Sequence, residues 1–373
     1  MISIQEARER LPEKFMDNLY EMFSPGTVDK IVAGMINDRY TTLRVNTIKY
    51  NIQDLMKYFK EENIKFERVF WYNDALILKN VKEKDVQKLD IYEKGYIYLQ
   101  SLPSMIPPIV LKPNEGEKVL DLTAAPGSKT TQIAALMNNK GYILANELDK
   151  IRCERLKYNV NTQGATIVEV INGRGELLGR EHENYFDKVL LDAPCSGEGR
   201  FDATSSITYK NWSERTVRDL AKLQKKLFKS AYTALKQGGI MVYSTCTLNK
   251  EENEMVLQWA LENLNIKLLD ISLEIKEAIP AFNDGLDSSI NKAIRVLPSK
   301  NTEGFFVARI QKGLVNGDGD FWQHCIKPAK VRAEFDWIQR GYEPKRMSLE
   351  TRFIETMNFV NISIETETFT TLH

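Results

Sequence analysis

Lys118-Val-Leu-Asp-Leu122 runs directly into Thr123-Ala-Ala-Pro-Gly-Ser-Lys129, and residues 130–138 follow with Ile133, Ala134, Leu136 and Met137 as their apolar positions. A short apolar run, a turn of small residues and a helical segment predict a strand–turn–helix unit. Ala124, Ala125 and Gly127 let the backbone approach a ligand closely, and the start of the helix offers N–H groups to a carboxylate. Glu147 lies 20 residues beyond Gly127, at the end of a strand predicted over 142–146. An acid there can accept both hydroxyls of a ribose. The turn matches neither GxGxxG nor GxxxxGK[ST], which disfavours a dinucleotide or a triphosphate. A nucleotide-like ligand such as S-adenosylmethionine fits the spacing, and an ordinary tight turn is the alternative.

Working outward, further strands are predicted over 167–171, 187–192, 240–245 and 304–310, and helices over 150–163, 214–235 and 250–262. The helix at 214–235 aligns Val217, Leu220, Leu223, Leu227, Ala231 and Leu235 on one side, and Gly238-Gly239 is read as its end. Asn249 is read as the cap of the helix at 250–262, with Glu251 and Glu252 in its first turn. Strands alternating with helices predict an α/β fold with a mostly parallel sheet covered on both faces.

Two strand ends carry cysteines. Phe186-Asp-Lys-Val-Leu-Leu191 leads into Asp192-Ala-Pro-Cys-Ser-Gly197, and Gly239-Ile-Met-Val-Tyr-Ser-Thr-Cys246 ends in another thiol. Ligands of open α/β sheets bind at the C-terminal ends of strands. Neighbouring strands would therefore bring Cys195 and Cys246 to one pocket. Such a pair suits methylation of a pyrimidine carbon. A thiolate adding to C6 makes C5 nucleophilic, an acid offsets charge at N3 and the exocyclic amine, and a base then removes the C5 proton. Cys153, inside a predicted helix, and Cys325 read as buried small hydrophobes.

Composition narrows the field. The chain of 373 residues is 43% hydrophobic and 27% charged, as a globular protein should be. Four cysteines without a CxxC pair and three histidines argue against a zinc site or a disulfide framework, so no metal is expected. No apolar run is long enough for a membrane span, and residues 1–10 lack a signal-peptide core, so a cytoplasmic protein is expected. Lys plus Arg equals Asp plus Glu at 51 each, and net charge therefore neither supports nor excludes nucleic acid as a partner. Residues 3–23 read as a helix that Pro12 splits or kinks, followed by a second helix to about 36, a strand at 42–48, a helix at 52–62 and strands at 66–72 and 75–79. These form a small α/β accessory domain over 1–95, ahead of a catalytic domain over 96–312. In the extension at 313–373, Trp322, Phe335, Trp337 and Tyr342 interleave with Lys327, Lys330, Arg332, Arg340, Lys345 and Arg346. That pattern suits base stacking and phosphate contact, with a packed extension bearing a solvated face as the alternative.

Asp121-Leu-Thr-Ala-Ala-Pro-Gly-Ser-Lys-Thr130, Asp192-Ala-Pro-Cys-Ser-Gly-Glu-Gly199 and Tyr243-Ser-Thr-Cys-Thr-Leu248 resemble the motifs of the Sun-type (Nol/Nop/Sun) RNA cytosine-5 methyltransferases. Thr42-Leu-Arg-Val-Asn-Thr47 and Gly304-Phe-Phe-Val-Ala308 resemble flanking blocks, so the likeness covers roughly residues 1–312. Ala145-Asn-Glu147 and Asn249-Lys-Glu-Glu-Asn-Glu254 bring it nearest to the bacterial RsmF-like rRNA enzymes. The resemblance implies a class I, Rossmann-like S-adenosylmethionine-dependent methyltransferase sheet. It implies Cys246 as the nucleophile at C6 and Cys195 as the residue that assists release of the methylated RNA. Asp192 and Lys129 would contact or polarise the target base, and Asp192 also borders the cofactor. Thr123, Ala124, Ala125, Pro126, Gly127, Ser128 and Lys129 would hold the methionine part of S-adenosylmethionine, and Glu147 its ribose. The position that contacts the adenine end is usually Asp in this family and is Asn172 here, which keeps an acceptor oxygen. The implied partner is RNA: rRNA, within the 30S subunit or free, or alternatively tRNA, bound by a monomer. Two rival readings are a DNA cytosine-5 methyltransferase, with Cys195 of the Pro-Cys pair as nucleophile, and a catalytically silent RNA-binding assembly factor.

Overall fold

A computed structural model describes residues 2–36 and 38–314. The basic and aromatic positions of the extension, with Cys325, lie outside the described residues.

The chain begins with α1 (Ile4–Arg10), α2 (Glu13–Met22) and α3 (Pro25–Ile36). Ser3 caps α1 by accepting from the Glu6 amide. The split anticipated at Pro12 is present, because a residue before proline is driven out of helical geometry, and Leu11 is extended. These helices pack Phe15, Leu19, Ile31 and Met35 against Phe201, Ala203 and Leu248, which lie in loops beyond the later strands.

Next come β1 (Thr41–Val45), α4 (Ile52–Glu61), β2 (Phe66–Arg68), β3 (Ala75–Leu78), two single-turn helices α5 (Glu83–Val86) and α6 (Asp90–Glu93), and β4 (Ile97–Leu99). The four strands form an antiparallel sheet in the order β2-β3-β1-β4. Period-two alternation sends Leu43 and Val45 toward Leu55 and Phe59 of α4 and turns Arg44 to the opposite face. The sequence reading closes this region at 95. Yet β4 is hydrogen-bonded to β1, so the sheet extends to Leu99, and residues 1–313 form one compact unit.

The larger sheet follows α7 (Leu102–Leu111). Its elements are β5 (Lys118–Asp121), α8 (Ser128–Leu136), β6 (Tyr142–Glu147), α9 (Lys150–Gln163), β7 (Val168–Asn172), α10 (Gly175–Glu181), β8 (Phe186–Asp192), α11 (Glu214–Ala234), β9 (Leu235–Thr245), α12 (Glu254–Asn263), β10 (Ile266–Leu269), β11 (Ala278–Pro280), β12 (Ile294–Val296) and β13 (Phe305–Lys312). Its order is β11-β12-β13-β9-β8-β5-β6-β7, with β10 beside β13. The five strands β7, β6, β5, β8 and β9 are parallel, and β13 runs antiparallel to β9. One apolar cluster, with Leu227 and Phe228 of α11, covers one face. Another, with Ile106 of α7, Ile133 of α8 and Leu156 of α9, covers the other. Chain order reverses between β5 and β8, and that crevice is where open α/β sheets take their ligands.

Three local expectations need correction. The helix expected over 214–235 ends at Ala234, and Gly238-Gly239 lie within β9, beside a register shift against β8. The helix expected from 250 starts at Glu254 with Asn253 at its cap, which leaves Glu251 and Glu252 in the preceding loop. Helix α7 has no counterpart in the reading above, since Pro107 and Pro108 lie inside it and eight of its ten residues are buried, erasing any amphipathic period.

Candidate active site

The turn after β5 is gripped by its carbonyls. Asn146 Nδ2 donates to Leu122 O (3.0 Å), Arg152 Nη2 to Ala125 O (2.9 Å) and Asn159 Nδ2 to Pro126 O (2.7 Å). Thr131 Oγ1 donates to Gly127 O (2.7 Å) and Arg44 Nη2 to Ser128 O (3.1 Å). Gly127 has φ +103°, and a Cβ there would stand 2.9 Å from Leu156 Cδ1. Only glycine meets both demands. No side chain caps α8, so its first N–H groups are available to a ligand anion.

Asp121 ends β5 fully buried. Thr130 Oγ1 donates to its Oδ2 (2.7 Å), and Oδ1 has no partner among the described residues. Burial, with the charge of Asp192 acting the same way, pushes its carboxyl up to about 7. Glu147 and Asn172 face each other at the ends of β6 and β7. Glu147 Oε1 accepts from the Asp149 amide (2.9 Å). Asn172 Nδ2 donates to the carbonyls of Glu147 (2.7 Å) and Leu148 (2.8 Å). An Asp could not make those two bonds, and they leave the Asn172 oxygen as an acceptor. The set fits S-adenosylmethionine: free amides for a carboxylate, an unpaired buried acid for an ammonium, and an acid at the β6 end for a ribose.

Asp192 joins this side to the thiols. Its Oδ2 accepts from Lys129 Nζ (2.7 Å) and its Oδ1 from Ser244 Oγ (2.7 Å), while Thr123 Oγ1 donates to its main-chain oxygen (2.8 Å). Lys129 also donates to Ser104 Oγ (2.8 Å). Because Asp192 pairs with Ser244 across β8 and β9, the residues just beyond them converge. Cys195 Sγ and Cys246 Sγ stand 3.2 Å apart, both partly exposed.

The two thiols are not equivalent. A hydrogen bond from Cys195 and the positive charge of Arg200 hold Cys246 below the usual thiol range, against the effect of burial. The hydrogen bond to Cys246, burial and the nearby charge of Glu252 hold Cys195 well above it. Arg200 is raised in turn, chiefly by Cys246. The pair is thus biased unequally, Cys246 toward the thiolate and Cys195 toward the thiol. Cys153 is buried in α9, with Sγ 3.7 Å from Ile171 O.

Several site residues escaped the sequence reading. Glu252, read there as a first-turn helix acid, is fully buried; it accepts from the Ser196 amide (2.9 Å), the Ser196 hydroxyl and Gln224 Nε2 (2.9 Å). Glu198 accepts from Trp212 Nε1 (3.0 Å) and Asn249 Nδ2 (2.9 Å), and burial pushes it up to about 7. These two acids tie the Cys195 loop to the Cys246 loop. Gly199 closes the arrangement: its amide donates to Cys246 O (3.0 Å), and a Cβ would stand 2.0 Å from Gly304 O. Glu198 and Arg200 sit in Ser196-Gly-Glu-Gly-Arg200, where charged residues between tight-turn glycines are a usable signal. Glu252 carried none, because an acid after an Asn reads as an ordinary helix start. Among the described residues, no helix is long and apolar enough to cross a membrane, and no group of three or more His, Cys, Asp or Glu could hold a metal ion.

A family model described as 16S rRNA methyltransferase RsmB/F matches residues 108–311. A ribosomal RNA small subunit methyltransferase F from Pectobacterium carotovorum is 36% identical over 81% of this chain and 63% of its own length. A tRNA (cytosine(49)-C(5))-methyltransferase from Pyrococcus abyssi is 38% identical over 73% of this chain and 88% of its own length. A crystallised methyltransferase homolog from Pyrococcus horikoshii superposes with a TM-score of 0.73 at 33% identity, covering 84% of this chain and 99% of that one. The chain thus spans less than two thirds of the length of the Pectobacterium relative.

Proposed function

The chain belongs to the RsmB/F family of 16S rRNA methyltransferases, and on that premise we propose that it forms 5-methylcytosine in RNA with S-adenosylmethionine as methyl donor. The observation that carries the reading is the pair of unlike thiols 3.2 Å apart, next to the Lys129–Asp192 ion pair at the reversal of the sheet. Thr123, Ala124, Ala125, Pro126, Gly127, Ser128 and Lys129 would hold the methionine part of the cofactor, Glu147 its ribose and Asn172 its adenine end. When bound, the cofactor supplies an electrophilic methyl group on a sulfonium.

Cys246, biased toward the thiolate, adds to C6 of an unstacked cytosine. A sulfur–carbon bond forms, the C5–C6 double bond opens, and the electron pair moves to C5. Asp192, oriented by Lys129 and Ser244, contacts N3 and the exocyclic amine as charge develops there. Once Cys246 is bonded to carbon, its negative charge no longer holds Cys195 as a thiol. After C5 has accepted the methyl group, with the donor's sulfur–methyl bond broken to leave a neutral thioether, Cys195, its own proton passed to solvent, would take the C5 proton; that C–H electron pair re-forms the C5–C6 double bond, the C6–sulfur bond breaks and Cys246 leaves as a thiolate. The unequal bias of the two thiols supports this order and favours Cys246 over Cys195, the Pro-Cys residue of the DNA-enzyme reading, as nucleophile.

The substrate we favour is small-subunit rRNA, with tRNA as the alternative that the Pyrococcus abyssi relative keeps open. The N-terminal region over 1–95 and the extension over 313–373 would grip RNA, in a cytoplasmic monomer. Transfer of tritiated methyl to separated rRNA, 30S subunits and tRNA tests this, with Cys246→Ala alongside. Label in 5-methylcytosine that the variant lacks supports the chemistry, and the labelled fraction identifies the substrate. Failure to bind the cofactor would favour the assembly-factor reading.

A further inference from the structure

Arg44 is a fully buried guanidinium on β1 of the N-terminal sheet. Its Nε donates to Gln100 Oε1 (2.8 Å), and its Nη2 donates to Thr131 Oγ1 (2.8 Å) and to Ser128 O (3.1 Å). Its Nη1 is buried without a partner among the described residues. The Tyr98 ring lies 5.2 Å from the guanidinium carbon, and no carboxylate lies within ion-pair distance among the described residues. Burial accordingly pulls the guanidinium below its usual range. Asp74 acts on it only at longer range, and a buried charge with no carboxylate in contact is expensive. Its placement adds to the cost, because it touches the first turn of α8, the positive pole of that helix, where a cation is disfavoured.

Both difficulties vanish if an anion binds there. The Arg44 bonds also have a mechanical result. Helix starts fray when nothing caps them, and α8 has no side-chain cap. Arg44 holds the Ser128 carbonyl directly and the Gly127 carbonyl through the Thr131 hydroxyl. Gln100, which accepts from Arg44, is itself tied to Gln132 of α8 (2.9 Å). The carbonyl of one residue and the amide of the next lie on opposite sides of a planar trans peptide. Holding the carbonyls of Gly127 and Ser128 therefore sets the direction of the Ser128 and Lys129 N–H groups.

We propose that Arg44 is a positioning residue of the cofactor site: the N-terminal sheet supplies the cation that locks the first turn of α8 and offsets the charge of the cofactor's carboxylate. This rests on the cofactor assignment above but not on RNA methylation. It makes the N-terminal sheet part of the methyl-donor site as well as a surface for RNA.

The test compares two ligands by calorimetry on the full chain. S-adenosylhomocysteine carries the amino-acid carboxylate, and 5′-methylthioadenosine lacks it. Arg44→Gln should weaken the first by about tenfold or more and the second by less than about twofold. Arg44→Lys should recover part of the loss. Thr131→Val, which removes the relay to Gly127 and one acceptor of Arg44 but leaves the Arg44 bond to the Ser128 carbonyl, should show the same selectivity at smaller size and speed hydrogen exchange of the Ser128 and Lys129 amides without ligand; it also serves if Arg44→Gln does not fold. Equal weakening of both ligands would reduce Arg44 to a packing residue, and no weakening of either would overturn the proposal. Absence of RNA methylation with the ligand selectivity intact would count against the substrate reading alone.

Discussion

The turn after β5 and the loops after β8 and β9 share one end of the same sheet, yet they are held by different sets of side chains. In the turn, side-chain donors from Asn146, Arg152, Asn159, Thr131 and Arg44 take the backbone carbonyls. Amides remain for a ligand. In the thiol loops such donors are present too, Gln224 on Pro194 O and Asn253 on Thr247 O, but buried acceptors are added: Glu252 takes the Ser196 amide and hydroxyl, and Glu198 takes Trp212 and Asn249. Buried carboxylate acceptors thus distinguish the loops that carry the two thiols from the turn after β5. These acceptors carry a cost, since carboxylates beside a thiolate oppose its charge. Burial answers part of it by raising Glu198 and Glu252 toward the neutral form, and Arg200 favours Cys246.

The sharpest break of this contrast is at the sulfurs. Cys246→Ala should lower methyl transfer by on the order of 10⁴-fold or more, while S-adenosylhomocysteine affinity stays within about twofold. Cys195→Ser should instead accumulate an RNA–protein adduct that survives denaturing electrophoresis; equal and adduct-free inactivity of both variants would remove the assigned order of steps.

A structural break comes next. Glu254 and Arg295 form a salt bridge at 0% exposure, with Arg295 Nη1 also on Leu248 O (2.6 Å) just after the Cys246 loop. Glu254→Ala strands a buried cation, and denaturant unfolding should register a loss of about 3–5 kcal/mol.

Asp121 probes the cofactor side. Its folded carboxyl lies at about 7 against 3.8 for an ordinary Asp, so its stabilising contribution is complete below about 3.8 and is lost as pH rises through 7. Asp121→Asn should therefore raise the melting temperature of the ligand-free protein at pH 8 and change it less at pH 6. It should also weaken S-adenosylhomocysteine by about tenfold, since an ammonium loses its acid. A variant that melts lower at pH 8 would contradict this account of Asp121.

The smallest expected effect concerns the thiol asymmetry. The pH midpoint for alkylation of Cys246 should lie below that of an ordinary thiol, and Arg200→Gln should move it upward. Peptide mapping after iodoacetamide treatment across pH reads this directly.

Residues whose chemistry is carried by their own chain segment were legible before any fold was known. The runs at 118–122 and 187–191 are apolar because parallel strands are buried on both faces, and the turn at 123–129 is small because a backbone must approach a ligand. Cys195, Cys246 and Glu147 were singled out on that basis, from strand-end position, while the roles of Asp192 and Lys129 came only from the family resemblance. Residues whose meaning depends on a partner far along the chain were not. Glu252 looks like a helix acid until Ser196 and Gln224 are placed on it. Arg44 looks like an exposed strand cation until Gln100 and Thr131 enclose it. Helix α7 hides because prolines and near-complete burial remove its period.

The sequence by itself determined the five parallel strands with the helices α8, α9, α11 and α12, the turn after β5 and the two strand-end thiols, because periodicity and turn chemistry are local properties. Only the tertiary structure decided that the thiols meet at 3.2 Å, that the hydrogen bond between them, with Arg200 and Glu252, biases them unequally, and that the N-terminal sheet reaches the cofactor turn. Those outcomes depend on which strands lie side by side and on how far burial strengthens a charge, and neither is a property of any one segment.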